Sequence, residues 1–396
     1  MGGTLRSGLR RVKIALVHDW LTGMRGGERV LERVARCFPD ADIHTLVWRR
    51  GAVSPELERH RIHTSFLDRL PAADTYYRWL LPLFPRAIES LDLSGYDAVV
   101  SVSHAVAKGV RTRPGAPHLS IVLTPMRYVW DLEPQYFPPG RFPWPLSSYV
   151  SGVCARLRRW DRATAARPTH LVSISHHVAE RVRRHWGRES RVIYPHVDVE
   201  RFTPWSGERP YYLLAGAFAP YKRLDLALAA FARLERPLLV VGGGQEEARL
   251  HAAAPRGTEF RSGVSDEELA RLLARARAFI FPGEEDFGIM PLEAMASGTP
   301  VIAYGRGGAV ETVGRGATAA ALETIAAGGV ARVPGGMLFG TQSADAIAAA
   351  VTAFERETFE PPALAALAQP FSGERFDAEI RTAFTAAGIP VAGGSA

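Results

Sequence analysis

The sequence predicts an α/β protein with two doubly wound domains, each built on a mainly parallel sheet. Short apolar runs alternate with helical patterns from end to end, as is typical of parallel strands covered by helices on both faces. A length of 396 residues suits two or three domains. The composition, 47% apolar and 22% charged, excludes a largely disordered chain.

The first half contains apolar runs that predict buried strands, with helical patterns between several of them. The strands are expected at Lys13–Val17, Ile43–Trp48, Asp97–Ser103, Leu119–Leu123, His170–Ile174 and Arg191–Tyr194, and helices at Glu28–Cys37 and His177–Trp186. Met1–Arg11 carry basic residues with no apolar run behind them, which predicts a loose tail rather than a secretory signal.

The second half repeats the alternation. Strands are expected at Tyr211–Ala215, Pro237–Val241, Ala278–Phe281 and Pro300–Ala303, and helices at Asp225–Leu234, Asp266–Ala276 and Ile289–Ser297. Residues 314–335 are rich in Ala and Gly and predict a loop with a short helix, and the last dozen residues are expected to fray. A proline-containing stretch, 195–209, predicts the boundary between a first domain of residues 1–205 and a second domain from residue 206.

Charge and cysteine content narrow the possible functions. Residues 1–205 hold 31 Lys and Arg against 19 Asp and Glu, giving +12, whereas residues 206–396 hold 17 against 22, giving −5. A basic first half attracts phosphates, nucleic acid or anionic lipid; a GC-rich genome would explain the Arg excess but not this asymmetry.

Two cysteines exclude a disulfide framework and a Cys/His zinc cluster, which favours a reduced, cytoplasmic compartment. No run reaches the ~18 apolar residues that a membrane helix needs.

The loop after the strand ending at Phe281 carries the sharpest functional signal. It holds Glu284, Glu285 and Asp286 before Gly288 opens a helix, and helix N-termini attract phosphate oxygens. Glu285 lies in the loop and Glu293 about one turn into the helix, so the two carboxylates could grip hydroxyls at two points of an extended ligand. The alternative is a solvated acidic loop followed by a glutamate that the helix dipole favours.

Three glycine loops also follow predicted strands. In the loop Gly216–Arg223, Lys222 and Arg223 are candidate partners for a diphosphate, or else a solvent-facing basic pair beside Asp225. Glycines 26 and 27, and the run 305–308 that precedes Glu311, could let the backbone approach a ligand closely. The alternative for each loop is tight packing.

These motifs together resemble family 4 of the retaining glycosyltransferases, which have the GT-B fold. The matching pieces are Gly26-Gly-Glu-Arg29, Ser103-His-Ala-Val-Ala-Lys-Gly109, Thr124-Pro-Met-Arg-Tyr-Val-Trp-Asp131, Pro220-Tyr-Lys-Arg-Leu-Asp225, Val264-Ser-Asp-Glu-Glu-Leu269 and the Glu285-x7-Glu293 stretch. The Thr124–Asp131 and Pro220–Asp225 pieces are similar to a bacterial subgroup that includes mannosyltransferases of O-antigen and exopolysaccharide assembly.

The resemblance implies a cleft between two Rossmann-like domains. The second, residues 206–370, would bind a nucleotide-diphosphate sugar, the first would bind the acceptor, and the final segment, 371–396, would cross back as a helix at about Glu374–Ala386. The implied catalytic residues are Glu285, Lys222, Arg223 and His104, although a structural His104 is equally expected. The implied donor-binding residues are Gly26, Gly27, Gly216, Lys222, Arg223, Glu285, Phe287, Gly288, Ile289 and Glu293.

Cations and helix ends would stabilise the leaving diphosphate, so the resemblance implies neither a metal ion nor a cofactor. No Asp-x-Asp pair stands in a fitting place. GDP-mannose is the first donor to expect, with a glycan or a polyprenyl-diphosphate-linked glycan as acceptor.

The acceptor side is expected at Arg127, Tyr128 and Trp130. Aromatic and arginine side chains in residues 76–86 and 127–162 predict peripheral contact with the anionic inner face of the cell membrane, or else ordinary core packing. Nothing in the sequence resembles a nucleic-acid-binding module.

Four positions depart from the family pattern. Leu123 stands where a His is frequent, Ala217 where an Arg is usual, Ile174 where an Asn is common, and Gly242-Gly-Gly244 replaces Gly-Asp-Gly. The sequence therefore favours an active transferase and leaves open a catalytically silent relative that binds a nucleotide or partner and supports another transferase. An epimerase of the same fold would need catalytic acids that the sequence does not place.

Overall fold

The computed structural model describes residues 12–138, 140 and 142–391. The predicted tail, Met1–Arg11, lies outside these ranges, and so do residues 392–396. The described part of the last dozen residues is packed, since Ala387 and Ile389 are 6% and 1% exposed. The prediction of fraying is therefore wrong for residues 385–391, because their apolar side chains extend the core.

The first sheet is parallel throughout the described residues, with strand order β3-β2-β1-β4-β5-β6-β7. Its strands are β1 (Ile14–His18), β2 (Asp42–Thr45), β3 (Ile62–Thr64), β4 (Ala98–Ser103), β5 (His118–Val122), β6 (His170–Ser173) and β7 (Arg191–Val192). The central strands β1, β4 and β5 are fully buried, as expected for strands covered on both faces. The sequence missed β3, because three half-buried edge residues make no apolar run.

The second sheet has the order β10-β9-β8-β11-β12-β14-β13. Its strands are β8 (Tyr211–Ala217), β9 (Leu238–Gly243), β10 (Thr258–Arg261), β11 (Ala276–Phe281), β12 (Val301–Tyr304), β13 (Val330–Val333) and β14 (Gly336–Phe339). The edge strand β13 runs antiparallel to β14. The interpretation of residues 314–335 as a loop with a short helix needs correction, because these residues include β13 as well as a helix. The glycines around this short edge strand hide its pattern.

The helices fill the connections between strands. Those up to β7 are α1 (Gly26–Ala35), α2 (Pro55–Glu58), α3 (Ala73–Tyr76), α4 (Phe84–Glu89), α5 (Glu133–Tyr136), α6 (Leu146–Thr164) and α7 (His176–Trp186). Those after β7 are α8 (Leu224–Leu234), α9 (Glu247–Ala253), α10 (Asp266–Arg275), α11 (Ile289–Ala296), α12 (Gly308–Thr312), α13 (Ala319–Ala326), α14 (Ala344–Phe354), α15 (Pro361–Ala368) and α16 (Gly373–Ala386). The strands and helices predicted from the alternation are confirmed to within a few residues at each end.

The connection between the sheets is anchored along its length. Val197, Val199 and Phe202 are 1%, 5% and 7% exposed, so apolar contacts hold the segment between β7 and β8. The predicted boundary at residue 205 falls in this segment, and the domain limits stay a prediction.

The final helix, α16, returns to the first domain, as the resemblance implied. Phe384 packs against Phe38 with ring centroids 4.9 Å apart, and Arg33 of α1 donates two hydrogen bonds, of 2.7 and 2.8 Å, to the Asp377 carboxylate. Arg375 donates to the carbonyl of Tyr194 at 2.7 Å. Hydrophobic and charged contacts thus fix the helix to the first domain.

None of the helices in the described ranges combines the length and the apolar character needed to cross a bilayer.

Candidate active site

Lys222 and Glu285 form an ion pair at the carboxyl edge of the second sheet. Lys222 ends the turn after β8, and Glu285 lies in the loop between β11 and α11. Lys222 Nζ is 2.6 Å from Glu285 Oε1, and the two side chains are 17% and 16% exposed. The structure therefore brings together the two residues that the sequence placed at a diphosphate and at its sugar.

Each partner holds the other in its charged form. Burial alone would lower the pKa of Lys222, but the adjacent Glu285 carboxylate raises it, and the net pKa lies above the ordinary value. For Glu285, burial raises the pKa while Lys222 and Arg127 lower it, and the net pKa lies below the ordinary value. The site thus keeps a cation and an anion in contact.

The N-terminus of α11 begins just after this pair. Gly288 is its N-cap with φ 93°, a left-handed conformation that favours glycine. The Phe287 side chain is buried and stacks on Tyr194 with centroids 5.7 Å apart, so Phe287 could contribute only backbone atoms to a ligand. Ile289 is partly exposed, and its Cδ1 lies 3.2 Å from where a Cβ on Gly26 would stand. The N-terminus of α1 therefore faces the N-terminus of α11 across the cleft.

Close backbone packing around Gly216 shapes the floor next to Lys222. A Cβ on Gly216 would lie 3.4 Å from Lys222 Nζ, and a Cβ on Gly242 would lie 2.0 Å from the Gly216 carbonyl oxygen. Gly242 has φ 140°, so packing and conformation both require glycine there. Ala217, at the position where an Arg is usual, is exposed.

Arg223 points elsewhere. Its Nε and Nη2 donate to the Asp225 carboxylate at 3.1 and 3.2 Å, and its side chain is 31% exposed. These contacts match the alternative of a basic residue beside Asp225. A role for Arg223 at a diphosphate stays a prediction.

Glu293 lies at a cavity of about 340 Å³ between α1 and α11, within the size range of ligand pockets. Its lining includes Gly26, Arg29, Arg201, Asp266, Ile289 and Glu293. Glu293 is 6% exposed and its carboxylate is 3.5 Å from Arg201. Burial raises the pKa of Glu293, and the charges of Arg29 and Arg201 only partly oppose it. Glu285 and Glu293 thus stand at separate points along the cleft.

Gly27, in the first turn of α1, is packed tightly within the first domain. A Cβ on Gly27 would lie 2.9 Å from Leu123 Cδ1 and 3.4 Å from His18 Cε1. His18 is fully buried; its Nδ1 bonds to the Val102 carbonyl at 2.8 Å. Leu123 therefore fills the space under the first turn of α1. Ile174, another departure from the family pattern, is 8% exposed and belongs to the core.

His104 sits above a buried aspartate. The Asp19 carboxylate accepts hydrogen bonds from four successive backbone N–H groups, residues 104–107, at 2.6–3.0 Å. His104 Nδ1 is 3.1 Å from Asp19 Oδ2, and the His104 side chain is 25% exposed. Burial lowers the pKa of His104. Asp19 thus fixes the turn that presents the imidazole, whose role in the reaction stays a prediction.

The three residues expected at the acceptor make contacts of different kinds. Arg127 reaches the second domain, where its guanidinium lies 4.9 Å from the centroid of the Tyr221 ring. Trp130 stacks on His185 at 4.5 Å and donates its indole N–H to Asp161 at 2.8 Å, which anchors it inside the first domain. Tyr128 is partly buried near Tyr136. Their acceptor role stays a prediction.

Residues 198–363 match the family model described as Glycosyl transferases group 1. Over 182 residues the chain is 32% identical to the GDP-mannose-dependent alpha-mannosyltransferase of Mycolicibacterium smegmatis. The alignment covers 41% of this chain and 46% of that protein. Over 160 residues the chain is 31% identical to the D-rhamnosyltransferase WbpZ of Pseudomonas aeruginosa. This alignment covers 36% of this chain and 40% of that protein. These alignments span less than half the length of either relative.

The structural likeness extends over nearly the whole chain. HepE of Anabaena, in a crystal structure with UDP and glucose, superposes with a TM-score of 0.65 at 17% identity, covering 95% of this chain and 100% of that one. The fold is GT-B. The predicted architecture is therefore confirmed.

Sequence reasoning missed the residues that join the two domains. The Asp286 carboxylate accepts from Arg181 Nη1 at 2.6 Å and from Thr124 at 3.2 Å, and it contacts Arg127. Glu311 accepts the backbone N–H groups of His176 and His177, both at 2.8 Å, at the start of α7. Asp286 belongs to a conspicuous acidic triplet, but no local signal reveals a partner more than a hundred residues away.

Proposed function

We propose that the protein is a retaining glycosyltransferase that moves a sugar, mannose first among the candidates, from a nucleotide-diphosphate donor to a glycan or lipid-linked glycan in bacterial polysaccharide assembly. The observation that carries this proposal is the Lys222–Glu285 pair at the N-terminus of α11. It lies within the segment that matches the glycosyl transferase family model.

In the proposed reaction, the bond between the anomeric carbon and the donor diphosphate breaks as the acceptor hydroxyl oxygen bonds to the same face of that carbon. The acceptor proton passes to the departing diphosphate. Lys222 and the free N–H groups at the start of α11 stabilise the growing negative charge. Glu285 accepts hydrogen bonds from the donor sugar, and Glu293 holds the ribose near the cavity.

We propose that the reaction needs neither a metal ion nor a cofactor, because a lysine and a helix N-terminus supply the positive field. Among the described residues, no three His, Cys, Asp or Glu side chains converge as a metal site. Transfer measured with and without EDTA tests this point. A loss of transfer that added Mg²⁺ or Mn²⁺ restores would contradict it.

A panel of nucleotide sugars tests the donor. GDP-mannose is the first candidate, supported by the name of the mycobacterial relative. A ligand that binds only the folded protein raises its melting temperature, so thermal shifts with UDP-, GDP-, ADP- and dTDP-sugars identify the base. Sugar transfer or donor hydrolysis then identifies the activity, and NMR of the product reports whether the anomeric configuration is retained. Nucleotide binding without turnover would favour the catalytically silent alternative.

We further propose that the first domain contacts an anionic membrane surface to reach a lipid-linked acceptor. Trp79 and Trp144 are each 81% exposed and Tyr149 is 60% exposed. Arg156 of α6 donates to the carbonyl of Pro82 at 2.9 Å, which ties α6 to the segment that carries Trp79. The exposed arginines of this region are Arg78, Arg86, Arg156 and Arg159. Exposed aromatic rings beside arginines suit a lipid interface.

Some of the aromatics predicted for this surface pack inside. Trp160 donates its indole N–H to Glu89 at 2.8 Å, and Trp130 is anchored as described, so for these two the core-packing alternative holds. Vesicle flotation with anionic lipid at low salt tests the exposed set. The double variant Trp79→Ser/Trp144→Ser should float less, whereas Trp205→Ser, 42% exposed in the wild type and outside this region, should float like wild type. Absence of wild-type flotation would contradict the proposal.

A further inference from the structure

Arg127 belongs to the first domain, but its guanidinium is held by the second. It lies over the Tyr221 ring and contacts the Asp286 carboxylate, and its side chain is 18% exposed. Tyr221 directly precedes Lys222, and Asp286 directly follows Glu285. Both partners of Arg127 are thus chain neighbours of the central ion pair, which places a second cation beside it.

Asp286 is itself fixed by the first domain. Arg181 Nη1 donates to its carboxylate at 2.6 Å, and the Ser175 hydroxyl donates to its backbone carbonyl at 2.6 Å. Arg181 is 6% exposed at its side chain and also donates to Asp131 at 2.7 Å. Charge-assisted bonds between largely buried groups have restricted geometry. The position of the Arg127 guanidinium is therefore set by an aspartate that the first domain holds at both its side chain and its backbone.

The side chains of the second domain supply little positive charge for a diphosphate. A diphosphate carries more than one negative charge, and its departure calls for more positive charge than one lysine supplies. Arg223 is turned to Asp225, and position 217 carries an alanine. The carboxylate that holds Arg127 is shared with a second cation, Arg181, so Arg127 is less neutralised than Arg223. The charge of Arg127 also reaches the pair, since it helps Lys222 to lower the pKa of Glu285 against the effect of burial.

We propose that Arg127 is the second cation for the donor diphosphate, delivered across the cleft from the first domain, and that Asp286 is the residue that positions it. This inference rests on the proposed function. The contact between the domains then has a chemical role. When the two domains close on the donor, the Arg127 guanidinium lies where the leaving phosphate develops negative charge. Asp286 contributes through Arg127, without touching the substrate.

Isothermal titration calorimetry on the full chain tests the inference, with GDP and GMP, or UDP and UMP, as the probes that the donor panel selects. Arg127→Met should weaken binding of the diphosphate about 10- to 100-fold, the range of a hydrogen bond between charged groups, and should weaken the monophosphate much less. Arg127→Lys should recover part of the loss. Arg113→Met, which removes an exposed first-domain arginine paired with Asp97, is the charge-matched control and should bind like wild type.

Asp286→Asn separates positioning from binding. It should retain diphosphate affinity to within about threefold while kcat for transfer falls at least about tenfold, because misplacement of a charge-stabilising group costs rate. Glu311→Gln loosens the same domain contact without touching Arg127 and should lower kcat less. The inference would be overturned if kcat fell equally in these two variants. It would also be overturned if Arg127→Met lost equal affinity for the monophosphate and the diphosphate. If the wild type transfers sugar and Arg127→Met binds the diphosphate and transfers sugar equally well, the inference alone is overturned. If the wild type binds the nucleotide tightly but transfers no sugar, the proposed function alone is overturned.

Discussion

Removing either charge of the Lys222–Glu285 pair should reveal a measurable coupling between them. At 2.6 Å and an effective dielectric constant of about 20, two unit charges attract by about 6 kcal/mol. Taking the two side chains out of water offsets several kcal/mol of this. The net coupling expected in the free energy of unfolding is therefore about 1.5–3 kcal/mol, typical of a hydrogen bond between charged groups.

The variants Lys222→Met, Glu285→Gln and their combination form a double-mutant cycle, read by chemical denaturation. Each single variant leaves one charge unpaired, so the double variant should lose less stability than the two single losses together. Transfer should fall at least about 100-fold in each single variant, whereas Glu285→Gln should bind the nucleoside diphosphate at least as tightly as wild type, because Lys222 is released. A coupling of zero, or full transfer by Glu285→Gln, would refute this account of the centre.

Further predictions concern buried groups in both domains. Gly242→Ala should lower the melting temperature by several degrees in thermal unfolding, because its Cβ would stand 2.0 Å from the Gly216 carbonyl oxygen and its φ of 140° strains any residue but glycine; an unchanged melting temperature would contradict this packing. Asp19→Asn should reduce stability by about 2 kcal/mol or more in denaturant titrations, since the carboxylate accepts four backbone N–H groups. Burial lowers the pKa of His118 to about 3 and that of His44 to about 4. The unfolded chain therefore binds more protons, and stability should fall as the pH drops from about 6.5 towards 4, by up to ~1.4 kcal/mol per pH unit for each histidine. A shallower slope in His118→Gln would confirm its share, and an identical slope would count against it.

The fold was predictable because its signal is local and repeated. Apolar runs such as Ala98–Ser103 and patterns such as His176–Trp186 report a buried strand and a capped helix without reference to the rest of the chain. The same holds for the loops that follow strands, so Lys222 and Glu285 could be placed at one sheet edge before their contact was seen.

The contacts between the domains could not be predicted in this way. Asp286 meets Arg181 across 105 positions of sequence, and Glu311 caps α7 from a different domain. Neither residue differs in local context from an ordinary loop aspartate or helix-start glutamate. The contact between the Trp130 indole N–H and Asp161 lies within the first domain but was unpredictable for the same reason, because the two residues lie on different elements. Such side chains are assigned only once the relative position of the elements is known.

The returning helix α16 has a consequence for synthesis. Phe38 and Arg33 precede the second domain in the sequence, whereas their partners Phe384 and Asp377 follow it. The apolar surface around Phe38 therefore stays uncovered while the whole second domain is translated. A nascent chain stalled before residue 373 should expose that surface to chaperones, and synthesis of α16 should cover it.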